Sequence, residues 1–456
     1  MSTGKREKFS SRFTFIMAMA GSAIGLGNIW RFPYMVGEYG GAAFIIIYIL
    51  CSLFISLPIF ICEAIVGRRT GSSSYDAMNK LAPGSNWKLV GLVTVVTAFV
   101  ITSYYSVVGG WSLDYFIRSC SGGLKAVSQE EATGIFTKFS SSVWEPLIAF
   151  TGFLALSALI VAAGVKGGIE KFTKWATPSL GILIIIIAVY SISLPGSSAG
   201  VEYLVKPDWS KLTPSTFSYA LGQSFYSLSL GVGCVVVYSS FMKKSDNILA
   251  SGGWTALFDT LFAIIAGFAV MPAVFAAGIE PGSGPSLVFE TLPYIFFQMG
   301  QQAPVLSRII TILFFLAILV AALTSSISMF EVCVEHMVDH KKQSRKKAAI
   351  RFFIWTWVLG VLCCLSFGVL KNVRIFGNSI FSTCDILSSN YLMTLTALVM
   401  SIFVGWKMDK SEVRDEFTNG GTLKGNARIF DSLHFVVKWI IPVMIVEIFV
   451  SNFINI

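Results

Sequence analysis

Charged residues are scarce in this chain of 456 residues. Asp, Glu, Lys and Arg together make up only 13% of the sequence, whereas hydrophobic residues make up 54% and the mean hydropathy is +0.72. A soluble protein of this length carries more charge, because polar groups must cover its surface. The composition therefore excludes a soluble globular protein and indicates a chain that lies mostly within a membrane.

The motifs of enzymes and of ATP-driven pumps are missing as well. There is no Walker loop, no CxxC spacing among the 8 cysteines and no pattern of nucleophile and base. The cysteines fall mostly in apolar stretches, and we interpret them as small buried hydrophobic residues. His336 and His340 are four residues apart, but no third metal ligand has a suitable spacing, which favours a solvated helix end. We expect neither an enzyme nor an ATPase.

Long apolar stretches occupy most of the sequence instead. A membrane-spanning helix needs about 20 apolar residues. Eleven stretches satisfy this requirement, at residues 12–36, 41–67, 88–119, 146–164, 170–194, 216–242, 251–278, 305–340, 346–369, 376–407 and 431–455. The loops are short, so we expect one membrane domain over residues 1–456 with no soluble module. The first apolar run continues into a spanning helix, which argues against a cleavable signal peptide.

The basic residues are unevenly distributed between the two sides of this domain. The formal net charge is +9, and with the N-terminus inside, 24 of the 34 Lys and Arg residues fall on cytoplasmic segments. This asymmetry agrees with the positive-inside rule. We therefore expect a multi-pass protein of the cell membrane with a cytoplasmic N-terminus and, after eleven spans, an extracellular C-terminus. The expected surroundings are the lipid bilayer and not nucleic acid, and the sequence indicates no oligomeric state.

Two of the apolar stretches are interrupted by glycine. Residues 21–28 of the first read Gly-Ser-Ala-Ile-Gly-Leu-Gly-Asn, and residues 227–233 of the sixth read Ser-Leu-Ser-Leu-Gly-Val-Gly. A helix broken within a membrane frees backbone groups that must line a cavity or be buried in protein. Paired breaks in the two halves of a chain are typical of transporters with a binding site at the bilayer midplane. Freed carbonyls suit alkali cations, and freed amides suit a carboxylate.

Polar residues inside other apolar stretches extend this pattern. Thr324 and Ser325 place hydroxyls in the eighth stretch, where they could line the same cavity or bond back to their own helix. Asp259 and Asp385 lie inside apolar stretches, where charges are rare without a function. Arg31 and Asp385 could form an extracellular gate above the site, or be unrelated charges near the outer interface.

Three long motifs resemble one known family. Residues 18–34, which begin Ala-Met-Ala-Gly and end Gly-Asn-Ile-Trp-Arg-Phe-Pro-Tyr, are similar to the first helix of the neurotransmitter:sodium symporters. Residues 222–231 are similar to their sixth helix, and residues 321–326 to their eighth. The resemblance implies an all-α fold of two inverted five-helix repeats, residues 12–194 and 216–407, with helices 1 and 6 broken and an extra helix at 431–455. Eleven helices resemble the bacterial branch, which includes transporters of tyrosine and of varied hydrophobic amino acids.

The same resemblance implies two sodium sites and one substrate site. The residues implied for the first Na⁺, beside the substrate's carboxylate, are Ala23 through its carbonyl, Asn28, Ser227 and Asp259. Those implied for the second are the carbonyls of Gly21, Ile24 and Ala321 and the hydroxyls of Thr324 and Ser325. The implied substrate-binding residues are Ser22, Gly25, Leu26, Gly27, Ile101, Tyr105, Tyr226, Ser229, Val232, Ser325 and Met329.

Gly25 narrows the substrate class. Amine-transporting members of the family carry Asp there, which replaces the carboxylate that their ligands lack. Because Gly25 has no side chain, the substrate should bring its own carboxylate, with Tyr105 as hydrogen-bond donor and Tyr226 as a lid. Val232 is small and Met329 is flexible, so the rest of the pocket is expected to be apolar and adaptable. We expect a hydrophobic or aromatic L-amino acid.

The resemblance also implies moving parts at both faces. Its outer gate corresponds to Arg31 and Asp385, and its inner ion pair to Arg6 and Asp339. Gly168 and Pro178 correspond to a hinge at the cytoplasmic start of the fifth helix, because glycine and proline both weaken a helix.

Together these features predict a sodium-coupled symporter that imports hydrophobic or aromatic L-amino acids by alternating access with two Na⁺ ions. Asp259 stands where relatives commonly carry Asn, so a fixed carboxylate replaces chloride and transport is expected to be chloride-independent. Two alternatives remain open: a carrier coupled to protons through Glu63 or Asp259, and a non-transporting amino-acid sensor on the same scaffold. Gly25 disfavours a chloride-dependent amine transporter.

Overall fold

A computed structural model of the chain describes residues 7–124, 126–279, 288–299 and 303–454, and these residues are almost entirely helical with no β-strand. Nine helices in the described part are long and apolar enough to cross a membrane. They are α2 (Ala42–Thr70), α3 (Lys88–Ser121), α4 (Trp144–Ala162), α5 (Val165–Ile192), α7 (Ile248–Ala276), α8 (Pro304–Asp339), α9 (Arg345–Leu365), α10 (Ile380–Lys407) and α11 (Lys424–Val450).

Two further helices are broken, as the sequence predicts. Helix α1 consists of Arg12–Ala23 and Gly27–Glu38, which are bent by 51° relative to each other and together could span a membrane. Helix α6 consists of Pro214–Ser227 and Cys234–Ser240. Each half of α6 is too short to be a span by itself, and together they occupy the sixth predicted stretch. The predicted repeats correspond to α1–α5 and α6–α10.

Short helices connect the long ones. They are Ser74–Leu81, Gln129–Ser141, Ser198–Val205, Thr291–Met299 and Lys410–Thr418.

Most predicted span starts agree with the first residues of the helices to within about four residues, and two do not. Helix α5 begins at Val165 and not at residue 170, because Lys166 and two glycines interrupt the apolar pattern without interrupting the helix. Helix α11 begins at Lys424 and not at residue 431. Its first turns carry charged residues on one face, so they lack the uniform apolar character by which a span is recognised.

The break in α6 is held open by partners from two other helices. Gly231, at φ 76°, donates its N–H to Glu63 Oε1 of α2 at 2.7 Å and accepts from Thr396 Oγ1 of α10 at 2.7 Å. A Cβ atom at Gly231 would lie 2.3 Å from the carbonyl oxygen of Met393, so only glycine fits this approach to α10. Both freed backbone groups of Gly231 are thus bonded within the protein, as a low-dielectric environment requires.

The helix Lys410–Thr418 is fastened to the end of α2 by a buried ion pair. Arg68 Nε lies 2.6 Å from Glu416 Oε1, and these side chains are only 1% and 5% exposed. Arg68 also donates to Asn419 Oδ1 at 2.8 Å, and Lys244 Nζ lies 2.8 Å from Glu416 Oε2. The pair therefore joins three segments at the end of the helix bundle predicted to face the cytoplasm.

Removing one partner of this ion pair should destabilise the protein strongly. Glu416→Ala leaves the Arg68 guanidinium buried without its counter-charge, which costs about 3–5 kcal/mol. We expect a clear fall in the thermal unfolding midpoint of the purified protein. Asp431→Ala is the matched control, because the Lys410–Asp431 pair at 2.7 Å is 57% and 62% exposed and should contribute at most about 1 kcal/mol. Equal midpoints for the two variants would contradict the assigned role.

Candidate functional site

A small cavity of about 30 Å³ lies between the two helix breaks. It is lined by Ser22, Ala23, Gly25, Leu26, Gly27, Ile101, Tyr105, Tyr226, Ser227, Ser229, Val232, Ser325, Met329 and Met393. All eleven residues that the sequence predicts for substrate binding are in this set. The structure therefore brings together side chains from α1, α3, α6 and α8 that are up to about three hundred positions apart, and it adds one from α10.

The glycines of the α1 break permit this close approach. A Cβ atom at Gly25 would lie 2.4 Å from Ser325 Oγ and 3.0 Å from Tyr105 Oη, so any larger residue would force these groups apart. Tyr105 Oη in turn accepts a hydrogen bond from the Leu26 N–H at 3.3 Å. Polar atoms of α1, α3 and α8 thus converge on one side of the cavity.

The rest of the lining is apolar. Ile101, Val232, Met329 and Met393 are all buried and come from four different helices. A cavity with a polar side and an apolar side suits a small molecule that carries both kinds of group.

A larger cavity of about 440 Å³ adjoins the first. Leu26, Gly27, Tyr105 and Tyr226 line both cavities and therefore separate them. At this partition the Tyr226 ring lies close to the backbone of α1. A Cβ atom at Gly27 would be 2.9 Å from the ring. The lid role expected of Tyr226 stays a prediction.

The two predicted outer gate residues face this larger cavity without touching each other. The Arg31 guanidinium lies 4.9 Å from the centre of the Tyr226 ring, a cation–π arrangement. The Asp385 carboxylate instead accepts a hydrogen bond from Ser389 Oγ at 3.2 Å. Both residues are described, and no ion pair joins them. Arg31 therefore contacts Tyr226 and not Asp385, which lines the same cavity.

Asp259 forms the centre of the first predicted sodium site. It is completely buried, and its carboxylate accepts from Asn28 Nδ2 at 2.8 Å, Ser227 Oγ at 2.8 Å and Tyr48 Oη at 3.2 Å. Within the described ranges no basic side chain forms an ion pair with it. A buried carboxylate without a counter-charge is energetically costly. The surroundings of Asp259 therefore suit a bound cation or a proton that neutralises it.

The orientation of Asn28 differs from the expectation. Its nitrogen Nδ2 faces Asp259 and Ser227, while its oxygen Oδ1 accepts from the Gly25 N–H at 3.1 Å. The amide orients in this way because the negative carboxylate attracts the donor. To act as a cation ligand through Oδ1, as predicted, the amide must rotate toward the site. Ala23, the fourth predicted residue, lines the adjoining cavity.

A second cluster of oxygen atoms lies where α1 meets α8. The Ile24 carbonyl is 3.4 Å from Thr324 Oγ1 and 3.3 Å from Ser325 Oγ, and Thr324 Oγ1 is 3.0 Å from the Ala321 carbonyl. A Cβ atom at Gly21 would lie 3.4 Å from Thr324 Cβ, so Gly21 also belongs here. All five residues predicted for the second sodium site are together. The atoms that would bind the cation are all oxygens, which suit a hard cation.

The alternative that these hydroxyls only bond back to α8 applies to neither of them, since Thr324 Oγ1 also reaches the Ile24 carbonyl of α1 at 3.4 Å. Thr324 Oγ1 donates to its own helix at Ala321 and Val320, the latter at 3.2 Å. Ser325 Oγ instead donates across to α1, at the carbonyl of Ser22 at 3.1 Å. The cluster is therefore an interhelical contact.

The inner gate and the hinge are only partly visible. Arg6 lies outside the described residues, so its predicted pairing stays a prediction. Asp339 Oδ2 accepts from the Ser73 N–H at 2.6 Å. Gly168 lies in the π-helical first turn of α5, where a Cβ atom would be 1.9 Å from the carbonyl oxygen of Ile160. Pro178 lies inside the same helix, which is continuous from Val165 to Ile192.

Two residues at these sites were missed in the sequence. Met393 belongs to an apolar helix, and nothing in its surroundings along the chain distinguishes it from lipid-facing neighbours. Thr177 lies next to Pro178, and its Oγ1 would be 2.6 Å from a Cβ atom at Gly21. Its hydroxyl donates to the Met17 carbonyl of α1 at 2.9 Å. A buried hydroxyl beside a helix-weakening proline is a signal that could have identified it.

Comparisons with known proteins agree with this geometry. A family model described as the sodium:neurotransmitter symporter family matches residues 6–132 and 136–456. The chain is 39% identical over 451 residues to the uncharacterized sodium-dependent transporter YhdH of Bacillus subtilis (strain 168), covering 99% of this chain and 98% of that protein. It is 35% identical to an uncharacterized sodium-dependent transporter of Haemophilus influenzae, over 98% of each chain. This chain belongs to the sodium:neurotransmitter symporter family.

A solved structure of the family is similar over its whole length. The crystal structure of MhsT in complex with L-phenylalanine matches with a TM-score of 0.89 and 38% identity, covering 98% of this chain and 100% of MhsT. The protein is thus a sodium-dependent symporter and not an enzyme, and Na⁺ is its coupling ion.

Sodium should stabilise this symporter through the second oxygen cluster. A ligand that binds only the folded state raises the unfolding midpoint, so NaCl should raise it above the value in KCl. Thr324→Ala with Ser325→Ala removes two oxygen donors and should increase the sodium concentration for half-maximal stabilisation by about tenfold or more. Ser326→Ala is the matched control, since its hydroxyl bonds to Ser157 at 3.0 Å. An unchanged sodium response in the double variant would remove this cluster from the coupling mechanism.

Proposed function

We propose that the protein imports hydrophobic or aromatic L-amino acids together with two Na⁺ ions. The observation that carries this proposal is the small two-sided cavity, which adjoins Asp259 on one side and the hydroxyls of α8 on the other. The similarity to MhsT, whose structure contains L-phenylalanine, supports the same substrate class.

The polar side of the cavity supports an amino acid rather than an amine. Its lining contains no acidic side chain, and Gly25 leaves no room for one. An amine would therefore lack a counter-charge in the cavity, whereas an amino acid carries its own carboxylate. In our proposal this carboxylate accepts from Tyr105 Oη and completes the cation site around Asp259.

The apolar side supports a hydrophobic side chain of variable size. The cavity of about 30 Å³ holds only a few water molecules, so a larger ligand must displace its walls. Met329 and Met393 are unbranched and flexible, and they can repack around different side chains. Tyr226 then closes the cavity toward the larger one.

Transport requires that this cavity open to each side in turn. We propose that Arg31 and Asp385 approach each other when the outer cavity closes, since both already face it. Gly168 and Pro178 weaken α5 at the opposite face of the membrane. We propose that this face, on which the N-terminus lies, is the cytoplasmic one. The C-terminus would then be extracellular.

Proton coupling is the second candidate. Glu63 and Asp259 are both buried carboxylates, and in the described part of the chain neither forms an ion pair with a basic residue. A proton could neutralise either one in place of a cation. A pH gradient would then replace the sodium gradient as the driving force.

Uptake into proteoliposomes distinguishes the two candidates. We expect accumulation of radiolabelled L-phenylalanine, and of other apolar L-amino acids in a panel, only with an inward sodium gradient. Potassium in place of sodium should abolish accumulation, and an inward proton gradient without sodium should not restore it. Accumulation driven by the proton gradient alone would favour the second candidate, and sodium-dependent binding without any uptake would indicate a sensor.

Chloride should not be required, because Asp259 already supplies a negative charge beside the first cation. Replacing chloride with gluconate should leave wild-type uptake unchanged. In Asp259→Asn the carboxylate is gone while the shape is kept, so uptake should depend on chloride. Measuring uptake of both proteins over a chloride series tests this. Loss of wild-type uptake in gluconate would disprove the proposal, and an Asn variant that remains indifferent to chloride would assign Asp259 only to the cation.

A further inference from the structure

Two cysteines contact each other beside the outer gate. Cys363 Sγ of α9 lies 3.8 Å from Cys384 Sγ of α10. All eight cysteines are described and reduced, and no other pair has its sulfur atoms in contact. Cys364, the next residue in the chain, has no such partner. The interpretation of the cysteines as small buried hydrophobic residues fits six of them, whereas Cys120 is exposed and Cys384 is partly exposed.

We propose that Cys363 and Cys384 form a redox-active dithiol, which closes to a disulfide and restrains the outer end of α10. The two thiols are already neighbours, so closing the bond requires only a small approach of two helix ends. The 20 residues between them include a turned connection in which the N–H and C=O groups of Ile375 and Asn378 bond to each other at 2.8 and 3.0 Å. This connection returns the chain from α9 to α10 without separating the helices.

Access to the pair is possible from one side. Cys363 is fully buried, whereas Cys384 is partly exposed. Ser382 and Asp385, on either side of Cys384 along the helix, line the outer cavity of about 440 Å³. Cys384 is not among the residues that line that cavity, so a small reagent approaches its exposed part from outside the cavity, and Cys363 is placed to act as the resolving thiol.

The chemistry needs an external disulfide as oxidant. The Cys384 thiolate attacks one sulfur of the reagent RSSR, forming a mixed disulfide and releasing RS⁻. The Cys363 thiolate then attacks Cys384 Sγ, forming the Cys363–Cys384 bond and releasing the second RS⁻. The two thiol protons end on the two released thiols, so two cysteines are oxidised and one reagent disulfide is reduced.

The consequence for transport follows from the neighbour of Cys384. Asp385 is the next residue, and in this structure it does not reach Arg31. Phe381, one turn earlier, already packs against Phe367 at 5.1 Å between ring centres. A disulfide would add a covalent link at the same level and hold Asp385 at the α9 side. This consequence rests on the proposed function, whereas the formation of the disulfide does not.

The experiment uses the full-length protein in proteoliposomes and the small reagent 2,2′-dithiodipyridine. Disulfide formation is measured by a mass-spectrometric crosslink between the peptides that contain Cys363 and Cys384, because the exposed Cys120 also releases thiopyridone from the reagent. Sodium-driven uptake is measured before oxidation, after oxidation and after reduction with dithiothreitol. Cys363→Ser and Cys384→Ser remove the pair, and Cys364→Ser is the matched control.

We expect the crosslink and a several-fold, reversible loss of uptake rate in the wild type and in Cys364→Ser. Both effects should be absent in Cys363→Ser and Cys384→Ser. Absence of the crosslink in oxidised wild type would overturn the dithiol site, and a crosslink with unchanged uptake would overturn the link to Asp385. If no sodium-driven uptake exists before oxidation, the proposed function fails, while the crosslink still tests the dithiol by itself.

Discussion

A backbone group freed from a helix within a membrane has no water to bond to, and this constraint organises the centre of the protein. The break in α6 is possible because Glu63 accepts the Gly231 N–H and Thr396 donates to the Gly231 carbonyl. The break in α1 uses Asn28 and Tyr105 in the same way, through the N–H groups of Gly25 and Leu26. The partners come from α2, α3 and α10 as well as from α1 itself. The surrounding helices therefore stabilise the open backbone on which binding depends.

The same environment gives two buried carboxylates different roles. Glu63 accepts a hydrogen bond from a backbone amide of the broken α6, so a dipole partly offsets its negative charge. Asp259 is surrounded by side-chain donors on α1, α2 and α6, all of which carry oxygen atoms that can also bind a cation. Exchange of these hydrogen bonds for cation contacts needs only local rotations, of which that of Asn28 is one. Glu63 and Asp259 are both buried carboxylic acids, and what distinguishes them is that Glu63 bonds the broken backbone whereas Asp259 is bonded by side chains.

Much of this arrangement could be predicted from the sequence, because the signals are local. Glycine runs located both breaks, and apolar length located the spans. Contacts between helices that are distant along the chain leave no such local signal in the sequence. Met393 is one methionine in an apolar helix, and the contact between Cys363 and Cys384 depends on how α9 and α10 turn relative to each other. The separation of Arg31 from Asp385 depends on the conformation, which composition and spacing do not encode.

The start of α5 connects the N-terminal segment to the second oxygen cluster. Glu7 Oε2 accepts from the N–H groups of Val165 and Lys166 at 2.8 and 3.2 Å, so a carboxylate satisfies the first turn of the helix and offsets its positive end. Further along α5, Thr177 bonds to α1 beside Gly21. Unwinding of the first turns of α5 must therefore break the contacts of Glu7, while Thr177 holds the helix to α1 further along.

If this face opens as proposed, these two contacts at different points of α5 would make the opening cooperative. If only the glycine and proline of α5 were involved, its first turns would fray independently of the binding site. Because Thr177 and Thr324 both lie close to Gly21, movement of α5 would change the surroundings of the oxygen cluster. A cation in that cluster would tie α1 to α8 and favour the intact α5, and its departure would weaken the same contacts that hold the N-terminal segment in place. In the proposed transport cycle, ion release and opening toward the cytoplasmic side would thereby be coupled.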